Sequence, residues 1–434
     1  MKDKFIGYQC SLCGTQYNPQ EVTYTCPKDG GNLDVILDID SIKGQPFHQW
    51  VAAQEPSLWR YLSILPINEI GGEGTPFRAV GWTPTYQAAR LAKQLGLNAL
   101  WIKDESRNPS ASFKDRASSV VLARAAEINA EVVVTASTGN AGAALACMAA
   151  ALGQKAVIFA PRTAPPAKIA QLLVFGAEVL LVDGNYDQAF DLSIQTSQAF
   201  GWYCRNTGYN PFTAEGKKTA SLEIVEWWLA QLKNPIIGEM KIDVRKPLSI
   251  FVSVGDGNII SGLHKGLKDL ASIGILPLEG VDTSAALLGM RIFGVQSEGS
   301  AAISNAYFAN TEKITPVAAN TLADSISVDL PRDGVRALRA ARQTGGAYVT
   351  VSDAQILEAI AEIGKLGIFA EPAGASALAG LSKALKTGLI STEDQVLLLN
   401  TGSGLKDVKA AMLAIQQAPI IEPTLEAVIK SLKL

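Results

Sequence analysis

Only two of the 434 residues are histidine, His48 and His264. That scarcity disfavours a Ser-His-Asp hydrolase and a histidine-ligated metal centre, so proton transfers must come from another kind of side chain. The five cysteines are too few and too clustered for a disulfide framework. Cys10, Cys13 and Cys26 stand together near the start, while Cys147 and Cys204 lie in apolar surroundings and read as core thiols. There is no long basic run and the net charge is −3, so a nucleic-acid partner has no electrostatic footprint. No apolar stretch is long enough to span a bilayer without glycine or polar interruption, and Met1–Phe5 leads into Cys-x-x-Cys with no apolar signal core. These absences predict a soluble, cytoplasmic chain in a reducing compartment, with no membrane partner. Internal repeats and low-complexity segments are also lacking.

What is present is a globular composition, 48% hydrophobic and 18% charged. The length allows two or three domains. From Thr85 onward, helical patterns alternate with short apolar runs: Ala99–Lys103, Val132–Ala136, Ala156–Phe159, Val179–Val182, Leu248–Val254, Ile292–Val295, Tyr348–Val351 and Val396–Leu399. Most are continuous rather than alternating in polarity, as in strands buried on both faces, so the sheets are expected to be parallel and helix-covered. Repeated βα units predict an α/β, doubly wound architecture whose ligands bind beyond the carboxyl ends of the strands.

Four motifs fall at such strand-to-helix turns. Ser110-Ala111-Ser112-Phe113-Lys114-Asp115-Arg116 places a lysine where its amine can face a bound cofactor. Ser137-Thr138-Gly139-Asn140-Ala141-Gly142 opens a helix, whose free N–H groups suit a carboxylate. Gly255-Asp256-Gly257-Asn258-Ile259 lets the backbone approach a phosphate. Thr401-Gly402-Ser403-Gly404 ends the last strand with a hydroxyl. Taken singly each has a plainer reading: a solvated helix-start lysine, an N-cap, an ordinary βα turn.

In this order, the motifs resemble those of pyridoxal-phosphate (PLP) enzymes of the tryptophan-synthase-β family. The phrase Glu105 to Arg116 resembles the family's Schiff-base signature. Asn210-Pro211-Phe212-Thr213-Ala214-Glu215-Gly216-Lys217-Lys218-Thr219, Glu371-Pro372-Ala373-Gly374-Ala375-Ser376 and Thr401-Gly402-Ser403-Gly404-Leu405-Lys406-Asp407 resemble threonine-synthase segments, over about Trp59 to Ala414. The resemblance implies PLP fold type II: two doubly wound parallel-sheet domains, the larger from 39–118 and 215–434, the smaller from 119–214, with a ribbon-like module at 1–38. It implies a homodimer, and a lyase of amino-acid biosynthesis that converts O-phospho-L-homoserine and water to L-threonine and phosphate. Cysteate synthase, a dehydratase, diaminopropionate ammonia-lyase and a cofactor-retaining regulatory protein are the alternatives.

By the same resemblance Lys114 carries the cofactor and moves protons, with Phe113 beside it. Asn140 meets the ring oxygen. Gly255, Asp256, Gly257, Asn258 and Ile259 hold the cofactor phosphate; Asp256 is a departure, because an acid beside a phosphate is unfavourable unless its side chain turns outward. Thr401 meets the ring nitrogen; a neutral hydroxyl does not hold that nitrogen protonated as a carboxylate does. Ser137, Thr138 and Gly139 take the substrate α-carboxylate. A small-molecule amino-acid phosphate also needs cations, for which Arg116, Arg162, Lys168 and Lys217 are the candidates. The chain departs from the family at Ser403, where histidine is usual, and at Ala111 and Ala117, where glycine is usual and each methyl is expected to narrow the pocket mouth. In the first module, Cys10, Cys13, Cys26 and Asp29 form a possible structural zinc set, unusual in its carboxylate; a ribbon without metal is the alternative.

Overall fold

In the computed structural model the described residues are 4–137, 139–164, 166–233, 236–237, 240–243, 245–275 and 289–433. In chain order the strands are β1 Phe5–Cys10, β2 Gln16–Tyr17, β3 Leu33–Leu37, β4 Thr85–Gln87, β5 Ala99–Asp104, β6 Val132–Ala136, β7 Lys155–Pro161, β8 Glu178–Val182, β9 Tyr203–Cys204, β10 Ile236–Ile237, β11 Met240–Lys241, β12 Leu248–Ser253, β13 Met290–Ser297, β14 Tyr348–Val351 and β15 Gln395–Asn400. The apolar runs become strands where expected. β5, β6, β12 and β15 are buried along their whole length, as strands covered on both faces must be.

They assemble into two sheets. The larger runs β14-β13-β12-β15-β5-β4, parallel except for the edge strand β4. The smaller runs β8-β7-β6-β9 and is parallel throughout. In the larger sheet the chain order reverses between β12 and β15; in the smaller it reverses at β6. Ligands bind at such switch points, because the loops leaving the two neighbouring strands diverge and open a crevice. Three of the four motifs follow β6, β12 and β15.

Helices Lys114–Glu127 and Phe212–Lys233 pack so closely that a Cβ at Gly216 would lie 2.0 Å from the Arg116 carbonyl oxygen. Ala117, fully buried, sits in this seam. Its methyl belongs to a helix–helix contact and not to a pocket mouth, which corrects the expectation from sequence. Ala111 has φ +62, a left-handed conformation that glycine adopts without the steric cost a methyl brings. Its departure from the family is therefore a matter of backbone strain. Ser403 caps the short turn Gly404–Lys406, its Oγ accepting from the Leu405 N–H at 3.3 Å.

The β2-β1-β3 ribbon is antiparallel and is packed into the body. Phe5, Tyr8, Leu33 and Val35 share a hydrophobic cluster with Trp59, Val120, Val121 and Phe212.

Candidate active site

One cavity of about 380 Å³ lies at the switch points of both sheets. Lys114, Ser137, Gly139, Asn140, Lys217, Thr401 and the whole loop Gly255 to Ile259 line it. Residues from Lys114 to Thr401 are thus brought together. Thr138 lies outside the described residues.

Lys114 begins its helix, directly after Phe113, whose N–H donates to the Thr401 carbonyl at 2.9 Å. That backbone bond ties the lysine turn to the end of β15. Burial lowers the Lys114 pKa from its ordinary value; Glu371 opposes the shift, Arg205 adds to it and Asp256 opposes it. Among the described residues the amine makes no hydrogen bond and no ion pair. Phe113 itself is fully buried in the main core and contributes through its backbone rather than as a cavity wall.

Asn140 opens the alanine-rich helix Asn140–Leu152, with Gly139 in the preceding position. Its Nδ2 donates to both oxygens of Glu371, at 2.9 and 3.0 Å. Glu371 is 4% exposed and also lines the cavity. Burial raises its pKa, against the Asn140 hydrogen bond and the Lys114 charge. In sequence it reads as an N-cap acid ahead of Pro372. The carboxylate makes no capping bond and turns to the cavity instead; the phrase Glu371 to Ser376 resembles a family segment but does not itself place the carboxylate there. Ser253, the last residue of β12, was silent in the sequence; its Oγ lies 3.3 Å from Thr401 Oγ1. The end of the two central strands therefore presents a pair of neutral hydroxyls.

The phosphate-type loop precedes helix Asn258–Ile273, with Gly257 at φ +89. A Cβ there would come within 2.6 Å of the Ala337 Cβ. Asn258 is held on both sides: its Oδ1 accepts from Lys217 Nζ at 2.5 Å and its Nδ2 donates to Asp333 at 2.7 Å. The Asp256 side chain does not turn outward. It lines the cavity, its Oδ1 accepts from the Arg332 N–H at 3.3 Å, and burial raises its pKa.

The four expected substrate cations separate. Lys217 is fully buried in the cavity wall, and its pKa is pushed well below the usual value by burial and by the charges of Lys114 and Arg205. Lys168 lines an adjoining cleft with Lys406 and Gln171, and pairs with Asp324. Arg116 is not at the cavity. It is fully buried, bonded through Nε to Glu105 at 2.7 Å and through Nη2 to Glu223 at 2.8 Å. Arg162 is 67% exposed and faces Asp183 at 3.2 Å. A cation absent from the sequence-derived set is Arg205, fully buried, with its pKa drawn down to about 10 by burial. It donates to Thr207 at 2.7 Å, a residue of the cavity wall, and its Nη2 has no partner among the described residues.

The donor set suits an anionic cofactor. Arg205 lowers the pKa of Lys114 and of Lys217, Lys114 lowers that of Lys217, and among the described residues none of the three forms a carboxylate salt bridge. An anion between them relieves that repulsion, and the first turn of helix Asn258–Ile273 supplies N–H donors without intrahelical partners.

A cavity at two switch points, with a lysine amine, an anion-binding loop and terminal hydroxyls, defines an α/β enzyme of PLP fold type II. The family of pyridoxal-phosphate dependent enzymes matches residues 77–402, and the chain belongs to it. The threonine synthase of Methanocaldococcus jannaschii is 34% identical over 98% of this chain and 99% of its own length. That of Methanosarcina acetivorans is 33% identical over 97% of each. Among solved structures, diaminopropionate ammonia lyase from Escherichia coli superimposes with a TM-score of 0.62 at 19% identity, covering 85% of this chain and 89% of that one; it shows the shared fold. Among the described residues no helix is long and apolar enough to cross a membrane.

Proposed function

We propose that this protein converts O-phospho-L-homoserine and water to L-threonine and phosphate, using PLP. The observation that carries the reading is the Lys114 amine, without a bonded partner among the described residues, in a cavity it shares with Asn140, the Gly255–Ile259 loop and Thr401. The threonine synthases to which the chain is similar over nearly its full length support the substrate.

When bound, the cofactor supplies an electron sink for carbanionic charge at the substrate's Cα. Lys114 would hold its aldehyde and, once substrate has displaced the amine, move the proton at Cα. The depressed pKa favours the neutral amine that both tasks require. The Gly255–Ile259 loop would hold the cofactor phosphate, Asn140 the ring oxygen, and Thr401, beside Ser253, the ring nitrogen. A pair of neutral hydroxyls would not hold that nitrogen protonated as a carboxylate does. Ser137, Thr138 and Gly139 would take the α-carboxylate, and Lys217, with Lys168 at the adjoining cleft, the substrate phosphate. In this reading residues 39–118 and 215–434 form the larger lobe and 119–214 the smaller, in keeping with the two sheets. The protein acts as a cytoplasmic homodimer.

The test is phosphate release by the PLP-loaded protein with O-phosphohomoserine, and in parallel with O-phosphoserine plus sulfite, products identified by mass spectrometry. Threonine from the first substrate alone is expected. Turnover of O-phosphoserine alone would overturn the substrate while leaving the fold and cofactor in place.

A further inference from the structure

The ribbon at the start of the chain is not used by the chemistry above, yet it carries the most convergent set of metal-type donors among the described residues. One ligand atom from each of Cys10, Cys13, Cys26 and Asp29 lies within 4.8 Å of all the others. Two separations can be compared with a real site. In a tetrahedron with metal–sulfur bonds of about 2.3 Å, neighbouring sulfurs stand about 3.8 Å apart, and a sulfur and a carboxylate oxygen about 3.5 Å. Cys13 Sγ and Cys26 Sγ are 3.8 Å apart. Cys10 Sγ stands 3.3 and 3.6 Å from the two oxygens of Asp29.

A second observation is independent of those distances. The donors come from two turns with the same backbone construction. In the first, Cys10 N–H donates to the Thr15 carbonyl at 2.9 Å and Gly14 N–H to the Cys10 carbonyl at 3.1 Å. In the second, Cys26 N–H donates to the Gly31 carbonyl at 2.9 Å and Gly30 N–H to the Cys26 carbonyl at 2.8 Å. Gly14 and Gly30 are both left-handed, with φ +72 and +71. The spacings coincide: Cys10-x-x-Cys13-Gly14 against Cys26-x-x-Asp29-Gly30. Asp29 therefore occupies, in its own turn, the place that Cys13 occupies in the other. The backbone aims both positions at one point whichever side chain stands there. Supporting bonds fix the donors further: the Leu12 N–H reaches Cys10 Sγ at 3.3 Å, and the Gly31 N–H reaches Asp29 Oδ1 at 2.9 Å.

We infer that the ribbon binds one metal ion of the soft, tetrahedral class, with zinc the fitting metal, through the thiolates of Cys10, Cys13 and Cys26 and the carboxylate of Asp29. Binding displaces the thiol protons. Three thiolates exclude magnesium and calcium, and four protein ligands fill a tetrahedral shell, so the site is structural. What it stabilises can be read from the contacts behind it. Asn32 Nδ2 donates to the carbonyls of Gly208 at 2.5 Å and Arg332 at 3.0 Å, and Arg336 holds the Leu33 carbonyl and Asp34 at 3.2 and 2.8 Å. The Arg332 N–H in turn meets Asp256 in the cavity.

The test uses the full-length, PLP-loaded protein purified without chelator. Elemental analysis is expected to find one zinc per chain. After replacement by cobalt(II), intense d–d bands are expected in the red, clear of the cofactor's absorption, as tetrahedral thiolate coordination requires. Asp29→Cys should move those bands to longer wavelength by adding a fourth thiolate. Cys13→Ser, a change at an exposed position, should weaken them, and Cys147→Ser should leave them unchanged. Absence of stoichiometric metal together with absence of the cobalt bands in the reduced protein would overturn the inference. So would bands that survive Cys13→Ser and vanish in Cys147→Ser, which would place the ion elsewhere.

Discussion

Replacing Arg116 by methionine separates a structural cation from a substrate-binding one. The guanidinium is fully buried and makes five close contacts: to Glu105 at 2.7 and 2.8 Å, to Glu223 at 2.5 and 2.8 Å, and to Thr219 at 2.9 Å. Lys103 adds a second positive charge, 2.7 Å from Glu223. The four-residue cluster is therefore neutral. Arg116→Met leaves two carboxylates with one ammonium in a site that excludes water. Breaking a buried pair from one side costs about 3–5 kcal/mol, chiefly because the remaining charge loses its partner. The unfolding midpoint in urea should fall accordingly. Adding Glu223→Gln restores neutrality, so the double variant should recover more than half of the loss; coupling of that sign is expected for contacting charges. KM for the phosphorylated substrate should change little in the fraction that remains folded. An unchanged midpoint together with a KM raised about tenfold, equivalent to ~1.4 kcal/mol of binding, would refute the reasoning and return Arg116 to the substrate.

Three further outcomes follow from the same structure. Lys217→Met should raise KM for the phosphorylated substrate by about 10- to 100-fold, the range for losing a charge-assisted hydrogen bond of ~1.5–3 kcal/mol; an unchanged KM would sink its assignment. In the apoprotein, the rate of PLP capture, followed by absorbance, should rise with pH through a midpoint below that of an ordinary lysine, because burial lowers the Lys114 pKa. Glu371 raises that pKa, so Glu371→Gln should shift the midpoint to lower pH, and a shift to higher pH would contradict the sign of the contact. Ala111→Gly should stabilise the protein by about 0.5–1 kcal/mol, since a left-handed alanine costs ~1–2 kcal/mol and glycine returns part of that as unfolded-chain entropy; a lower unfolding midpoint would show that the methyl packs productively.

The architecture was legible because its strands are buried on both faces. β6 and β14 begin and end where the apolar runs do, and β5, β12 and β15 differ from them by a residue or two. β4, β9 and the ribbon strands were not foreseen as strands: β4 and β9 are an exposed edge and a two-residue segment, too short or too polar to carry a periodicity. Within the site, the turns that follow strands could be read because glycine, asparagine and lysine at such turns have few structural uses. Ser253 and Glu371 could not. One ends an apolar strand and the other precedes Pro372 as a helix cap would, so their local contexts have ordinary explanations. Only the pairing of distant strands reveals that both face the cavity.

The same limit explains which cations were misplaced, and points to a rule for sorting them. From sequence, Arg116 is the closest cation to Lys114 and Arg205 has no motif around it. In the fold the order reverses, because the deciding property is whether a buried charge already has a carboxylate. Arg116 has two, from Glu105 in the turn after β5 and from Glu223 in helix Phe212–Lys233, which the sequence separates by more than a hundred residues. Among the described residues Arg205 and Lys217 have hydroxyl and amide partners only, Thr207 and Ser118 for the one, Asn258 for the other. A buried cation bonded only to neutral groups retains an unmet demand for negative charge, and desolvation makes that demand expensive to leave standing. Stability alone would favour a carboxylate at such a position. Its absence at two neighbouring positions beside a phosphate-type loop is what a site built to receive an anion requires, and it is there, rather than at the lysine's immediate sequence neighbours, that an anion's charge has somewhere to go.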